Sequence, residues 1–313
     1  MNEVPKSVAQ SVHARLYNGA EQRREDFNLT LQRYVAERFL YRLGASVHRD
    51  RLVLKGAMLF ALWSRSLYRA TRDLDLAGHT KDDAASLIAI MKDICSVPCP
   101  GDGLAFEAST MRAEPILDRT EYRGTRVKLV ALLGTARVPL QIDVGLGDAI
   151  DPPARIEEYP VLLDGPAPRI RAYPREAAIA EKAHAMVTFG IANSRHKDFY
   201  DVFVLATHFE FSGAVLTRAL ASTFERRATP ITGVLPVAFT APFYAEPARA
   251  AEWRRYLSRM SLEGAPADFV AVGERIAAFL AEPWRAIADG DPFPAKWPAA
   301  GPWRPFRTGE EHT

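Results

Sequence analysis

Between residues 52 and 77 the chain reads LVLKGAMLFALWSRSLYRATRDLDLA: an apolar run, a small-residue turn, a helix-forming run and then a strict alternation. Read as a strand, TRDLDLA buries Leu74 and Leu76 on one face and sets Asp73 and Asp75 together on the other. The same period recurs in VPLQIDVGL, where Leu140, Ile142 and Val144 alternate with Gln141 and Asp143. Asp143 therefore points away from its apolar face, as the first two aspartates do. Strand-like runs over about 122–133 and 138–146, separated by GTAR, predict a hairpin, and Asp148 reads as a turn residue in the loop beyond it.

Helical spacing governs much of the rest. Over residues 5–43 the apolar positions Leu31, Tyr34, Val35, Phe39 and Leu43 recur on one side, with Arg33 and Glu37 among the intervening polar ones. The pattern predicts a helix packed on the strand-bearing lobe; Arg38 and Arg42, one turn apart, offer the alternative of facing a phosphate site. KDDAASLIAIMKDIC is a further amphipathic helix. The proline-rich DPPARIEEYPVLLDGPAPRIRAYPRE leads from strands to helices, which places a boundary near residue 170 and divides the chain into 1–170 and 171–313. PREAAIAEKAHAMVTFG has proline near a helix start and glycine at its stop, and HKDFYDVFVLATHF is a second helix with Asp198 and Asp201 on one face. Residues 213–285 add further helices. DPFPAKWPAAGPWRPF is expected to pack as an extended arm, with RTGEEHT frayed.

Composition narrows the function without naming it. At 313 residues, 48% hydrophobic and 25% charged, the chain can bury the core of a two-lobed globular protein. Lys+Arg of 40 against Asp+Glu of 38 gives a net charge of +2, so any nucleic-acid surface must be a local patch. No signal-peptide pattern or membrane-length apolar stretch is seen, and a cytoplasmic protein with no membrane partner is expected. Cys95 and Cys99 lack a second Cys/His pair and are read as free thiols without a role. There is no G-x-x-x-x-G-K-[ST] loop, no H-E-x-x-H and no G-x-S-x-G elbow, so P-loop, zincin and serine-hydrolase chemistry are not indicated.

Two ionised carboxylates one residue apart on a strand face repel unless a cation lies between them, and an all-oxygen set suits Mg²⁺. The plain alternative is a solvated acidic strand. Gly56 and Ala57 start the helix-forming run, where backbone N–H groups can meet phosphate, while Lys55 is either a phosphate contact or a partly buried lysine. Arg69 and Arg72 flank the acidic strand, to counter its charge or to grip phosphates.

The segments RYVAERFLYRLGAS, LVLKGAMLFALW and RATRDLDLAG resemble the AbiEii-type nucleotidyltransferase toxins, including the MenT relatives. That resemblance implies an α+β protein with a polymerase-β-like nucleotidyltransferase lobe followed by a mainly helical lobe. Thr71, Asp73 and Asp75 fit its Ser/Thr-x-Asp-x-Asp strand, and Ala57 replaces the Gly or Ser usual at the turn. QIDVGLGD resembles its third-acid segment, so Asp73, Asp75 and Asp143 are the expected Mg²⁺ ligands, Mn²⁺ being an alternative metal. EKAHAMVTFGIANSRHKDFYD resembles its second block, in which Lys182 meets the nucleotide phosphates and Asp198 or Asp201 orients it; the KD pairing favours Asp198. Without the resemblance these would be helix-surface ion pairs. Lys182 is expected on an exposed helical face, contributing little to stability. His184 and His196 are read as helix-surface or partly buried histidines.

The implied activity is transfer of a nucleoside monophosphate from an NTP to a tRNA 3′ end, with a cognate antitoxin as partner. The alternatives are a nucleotidyltransferase acting on a protein or small-molecule hydroxyl, and a non-catalytic nucleotide- or antitoxin-binding module. In RAAEWRRYLSRM, Arg249, Arg254, Arg255 and Arg259 interleave with Trp253 and Tyr256. A solvated helix face with its aromatics in the core is the plain reading, and the run is also the candidate RNA-docking surface.

Overall fold

The computed structural model describes residues 6–64, 69, 71–78, 83–116, 124–260, 262 and 265–306. The expected fraying of 307–313 lies outside them. The chain is α+β and divides into two compact units, Met1–Asp148 with Ala154–Tyr173, and Ala149–Pro153 with Pro174–Thr313.

The first unit begins with helices α1 (Lys6–Arg23) and α2 (Phe27–Ala45). Asp26 caps α2, its side chain accepting from the Leu29 N–H at 2.9 Å. Strand β1 (Val53–Lys55) runs through a single 3₁₀ turn, Gly56–Met58, into the short α3 (Leu59–Ser64). Strand β2 (Asp73–Gly78) is followed by α4 (Ala84–Ser96), β3 (Leu104–Ile116), β4 (Gly124–Leu133) and β5 (Ala136–Leu146). The proline-rich stretch holds β6 (Arg155–Glu158) and β7 (Arg169–Ala172). These seven strands form one mixed sheet in the order β3-β4-β5-β2-β1-β7-β6, with β2–β5 and β1–β7 parallel and the other pairs antiparallel.

Alternation in β2, β4 and β5 decides which face is buried. Leu74, Leu76, Val127, Leu129, Leu140, Ile142 and Val144 are all at or below 2% exposure. Helix α2 packs on β5 and β7, and α4 on β3 and β4, through Phe39, Leu40, Leu43, Leu87, Met91 and Ile94. The opposite face keeps the polar side chains.

Helix α2 departs from its expected pattern. Glu37, read as a polar intervening position, is 2% exposed, and Arg38 and Arg42 are buried rather than turned to a phosphate. Arg38 Nη2 lies 2.7 Å from Glu37 Oε1, and Arg42 Nη1 lies 2.5 Å from Asp102 Oδ2. The Leu162 N–H donates to Glu37 at 2.7 Å, which ties α2 to the segment between β6 and β7. Burial pushes the Glu37 carboxyl up to about 7, against the pull of Arg38 and the Leu162 N–H. The folded state therefore keeps this proton to higher pH than the unfolded chain, whose value is 4.5. Stability from this group is full below the unfolded value and falls as pH rises through about 7. Glu37→Gln stays neutral, so its stability relative to wild type should rise by about 2–3 kcal/mol between pH 4.5 and 8. Urea titrations of both proteins across that range test this; parallel stability–pH curves refute it.

The second unit is mainly helical: α5 (Arg175–Phe189), α6 (His196–His208), α7 (Gly213–Arg226), α8 (Ala241–Tyr244), α9 (Pro247–Met260) and α10 (Phe269–Asp289). Short strands β8 (Phe211–Ser212), β9 (Ala295–Trp297) and β10 (Arg304–Pro305) make a three-stranded sheet. Helix α5 packs on α7, and α10 on α6 and α7. The C-terminal arm packs in extended form as expected. Trp297 and Trp303 sit against Phe279, and their indoles donate to Ala206 O at 2.7 Å and Phe279 O at 2.9 Å, so no indole N–H is orphaned there. Among the described residues, no helix is long and apolar enough to cross a membrane.

Candidate active site

The polar face of the sheet carries a row of charges fixed by strand register. Glu114 on β3 pairs with Arg126 on β4, Arg126 with Asp143 on β5, Asp143 with Asp75 on β2, and Asp75 with Lys55 on β1. Directly paired residues project to the same side, so these five side chains line up across the sheet. The signs run −, +, −, −, +. Asp143 and Asp75 are the like-charged neighbours, with Asp73 two residues along β2 beside Gln141. All three aspartates are half-buried; Asp75 and Asp143 lie between buried aliphatic neighbours, and Asp73 follows the exposed Arg72 and precedes the buried Leu74. The structure thus brings the three acids onto one face of two adjacent parallel strands.

Gly56 makes this arrangement possible on the β1 side. Its φ is +73°, and a Cβ built there would lie 2.0 Å from Asp75 Oδ2, so any side chain would collide with the carboxylate. Ala57, next in the turn, is buried. Thr71 donates its hydroxyl to the Asp73 carbonyl at 3.3 Å, Arg72 is exposed and Arg69 is half-buried.

Two further participants emerge from the structure. Asp148 is no simple turn residue: its carboxylate is 2% exposed and lies 2.6 Å from Lys55 Nζ, with the Tyr173 hydroxyl donating at 3.3 Å. Lys55, directly opposite Asp75 in register, is thus held in an ion pair with Asp148. Arg126 forks onto Asp143, Nε to Oδ1 and Nη2 to Oδ2, both at 2.8 Å. Hydrogen bonding to Asp143, with Asp73 and Glu114 nearby, holds the guanidinium above its already high ordinary value, so it stays charged.

Among the described residues, no three His, Cys, Asp or Glu side chains stand pre-arranged around one metal position. The donor set nevertheless fits a hard divalent ion. Asp75 and Asp143 are carboxylates on directly paired residues, and a cation between them relieves their repulsion.

In the second unit, Lys182 on α5 reaches both candidate aspartates of α6. Its Nζ lies 3.1 Å from Asp198 Oδ1 and 2.7 Å from Asp201 Oδ2. Arg195 Nε adds a bond to Asp198 Oδ2 at 2.7 Å. The side chains of Asp198 and Asp201 are 4% and 0% exposed and that of Lys182 is 14% exposed. Lys182 is therefore not on an exposed face, and its expected minor part in stability is corrected: it neutralises two buried carboxylates. Burial pushes the Asp198 carboxyl up, but Lys182, Arg195 and Lys197 outweigh it and hold the group well below the usual carboxylate range. His184 bonds Thr229 at 2.9 Å, and burial with Arg227 beside it lowers its pKa to about 4. His196 is also buried and lowered, chiefly by desolvation.

The basic-aromatic run on α9 does not present its rings. Trp253 is 0% and Tyr256 6% exposed, and Trp253 Nε1 donates to Pro266 O at 2.8 Å. Arg249 is buried too, its guanidinium 3.6 Å from the Phe243 ring centroid, with bonds to the Asn193 and Ile191 carbonyls. Rings in the core cannot stack on bases. Arg254, Arg255 and Arg259 remain exposed on this helix.

The family described as "Nucleotidyl transferase AbiEii toxin, Type IV TA system" matches residues 38–282. The crystal structure of JHP933 from Helicobacter pylori is similar at 15% identity and a TM-score of 0.48, covering 85% of this chain and 95% of that one. A second Helicobacter pylori crystal structure is similar at 15% identity and 0.45, covering 83% and 95%. No curated protein matches the chain.

Proposed function

The chain belongs to the AbiEii nucleotidyl transferase toxin family of type IV toxin–antitoxin systems, and on that premise we propose that it transfers a nucleoside monophosphate from an NTP to the 3′ hydroxyl of tRNA. The observation that carries the reading is the parallel register that sets Asp75 beside Asp143 with Asp73 two residues away. Asp73, Asp75 and Asp143 are the residues that would hold Mg²⁺ or Mn²⁺. A divalent ion so held lowers the proton affinity of the attacking oxygen and offsets charge on the phosphates.

The chain's own residues do the positioning. The 3′ oxygen attacks the α-phosphorus in line, its proton passes to solvent water, and the bond from the α-phosphorus to the leaving pyrophosphate breaks. Gly56 and Ala57 form the turn beside Asp75 that we assign to phosphate contact, with Lys55 held by Asp148 next to them. Thr71 and Arg72 lead into the acidic strand. Lys182 supplies the ammonium for the triphosphate, with Asp198 and Asp201 fixing its position. A cognate antitoxin completes the pair, as the family's type implies.

With the α9 rings buried, RNA contact on that helix rests on Arg254, Arg255 and Arg259, which bind phosphate without reading bases. Incubation with α-labelled NTP, Mg²⁺ and total tRNA should give RNA lengthened by one or a few nucleotides, with each NTP assayed separately. Prior oxidation of the tRNA 3′ end should remove most of the label. Label on a co-purified protein or a small molecule, with RNA untouched for all four NTPs, overturns the tRNA assignment and points to another hydroxyl acceptor.

A further inference from the structure

We infer that Arg126 is a resident counter-ion of the acidic face, whose guanidinium must release Asp143 before a divalent ion can be held there. The inference rests on the reading of Asp73, Asp75 and Asp143 as metal-holding residues. Its basis is the fork itself. Arg126 Nε and Nη2 take the two oxygens of Asp143 at 2.8 Å each, so both are engaged by a planar cation. A metal at the Asp75–Asp143 junction needs one of those oxygens. Guanidinium and divalent ion therefore compete for Asp143.

The row of charges shows why a counter-ion is built in. Without Arg126, Asp143 would stand next to Asp75 with no cation from its β4 neighbour, and like charges side by side on adjacent strands oppose pairing. The same row provides for the exchange. On its other side Arg126 is paired in register with Glu114, which now holds Lys128 at 2.6 Å. Glu114 and Lys128 are about half exposed, at 49% and 50%, and the Arg126 side chain at 32%, so these groups can rearrange in water without unpacking the core. An Arg126 that leaves Asp143 has a second carboxylate one strand away. The nucleotide-free protein should thus bind divalent ions weakly.

The test reads metal binding directly, with Mn²⁺ as the probe, by electron paramagnetic resonance on the full chain without nucleotide. Arg126→Gln should bind Mn²⁺ about tenfold more tightly than wild type, since it removes a competing positive charge from a ligand. The gain should vanish in R126Q/D143N. Glu114→Gln, an edge-strand change that spares the core, should do the reverse. By removing the second acceptor it should keep Arg126 on Asp143 and weaken Mn²⁺ binding about two- to threefold. If R126Q misfolds, the E114Q result decides alone. Unchanged or weaker Mn²⁺ binding by folded R126Q, or unchanged binding by E114Q, overturns the exchange, and Arg126 then merely props Asp143. Should Asp143→Asn and Asp75→Asn also leave Mn²⁺ binding unaltered, the metal-holding reading fails with it. Weakened binding by those two alongside an inert R126Q refutes this inference only.

Discussion

Asp75→Asn should yield a folded protein whose transfer of label from α-labelled NTP falls by about 10³-fold or more, equivalent to roughly 4 kcal/mol of transition-state stabilisation. Asp75 is the acid placed most tightly by the fold. It is paired in register with Asp143 on one side and Lys55 on the other, and Gly56 passes so close that a Cβ there would sit 2.0 Å from its Oδ2. Asparagine has nearly the same shape, so the close approach survives while the charge is lost. A neutral amide oxygen is a poor ligand for a hard divalent ion and offers no charge to offset that of the reacting phosphates. Folding stability should shift by no more than about 1 kcal/mol, since one of two like-charged neighbours has gone. The measurement is label transfer at saturating Mg²⁺ beside a urea melt. Near-wild-type transfer by a folded Asp75→Asn protein removes Asp75 from the site.

How much of this could be seen in the sequence depends on the range of the interaction. The shared face of Asp73, Asp75 and Asp143 was visible because alternation is local. Which strands are neighbours is not local, and the Asp75–Asp143 pairing follows from a parallel contact between β2 and β5 that no hairpin dictates. Arg126 was within reach. The β4–β5 turn pairs Leu133 with Ala136, and seven residues back along each strand lie Arg126 and Asp143. A two-residue turn fixes register, so the fork was implied by GTAR and the alternation of TRVKL.

The α9 run had its signal as well. Arg249, Trp253 and Tyr256 fall at i, i+4 and i+7, the spacing of a core stripe, which outweighs an interleaved basic-aromatic composition. Strand β3 was missed because an edge strand carrying Glu107, Arg112, Glu114 and Pro115 lacks clean alternation. Strands β6 and β7 were hidden in proline-rich sequence, and all four residues of β6 are exposed. Asp148 and Glu37 could not be read locally. Each is buried by partners far along the chain, Asp148 by Lys55 and Glu37 by Leu162 as well as its neighbour Arg38.

Lys182→Met should lose both activity and stability, and separating the two losses decides what the lysine is for. Its ammonium bridges Asp198 and Asp201, which are almost fully buried, so removing it takes from both carboxylates the charge that neutralises them, while Arg195 still meets Asp198. Breaking a buried ion pair from one side costs about 3–5 kcal/mol, because the orphaned charge is left desolvated. The triple variant K182M/D198N/D201N removes the orphaned charges along with the ammonium. It should recover most of the lost stability in a urea melt, as replacing all partners of a buried ionic cluster is often close to neutral. Transfer should not recover, staying on the order of 10²-fold below wild type in kcat/KM, about 2.7 kcal/mol, if the ammonium meets the triphosphate. A purely structural triad predicts the opposite: a restored fold would restore transfer. Stability and activity that return together in the triple variant would therefore take Lys182 out of the nucleotide site and leave it as the counter-ion of a buried carboxylate pair.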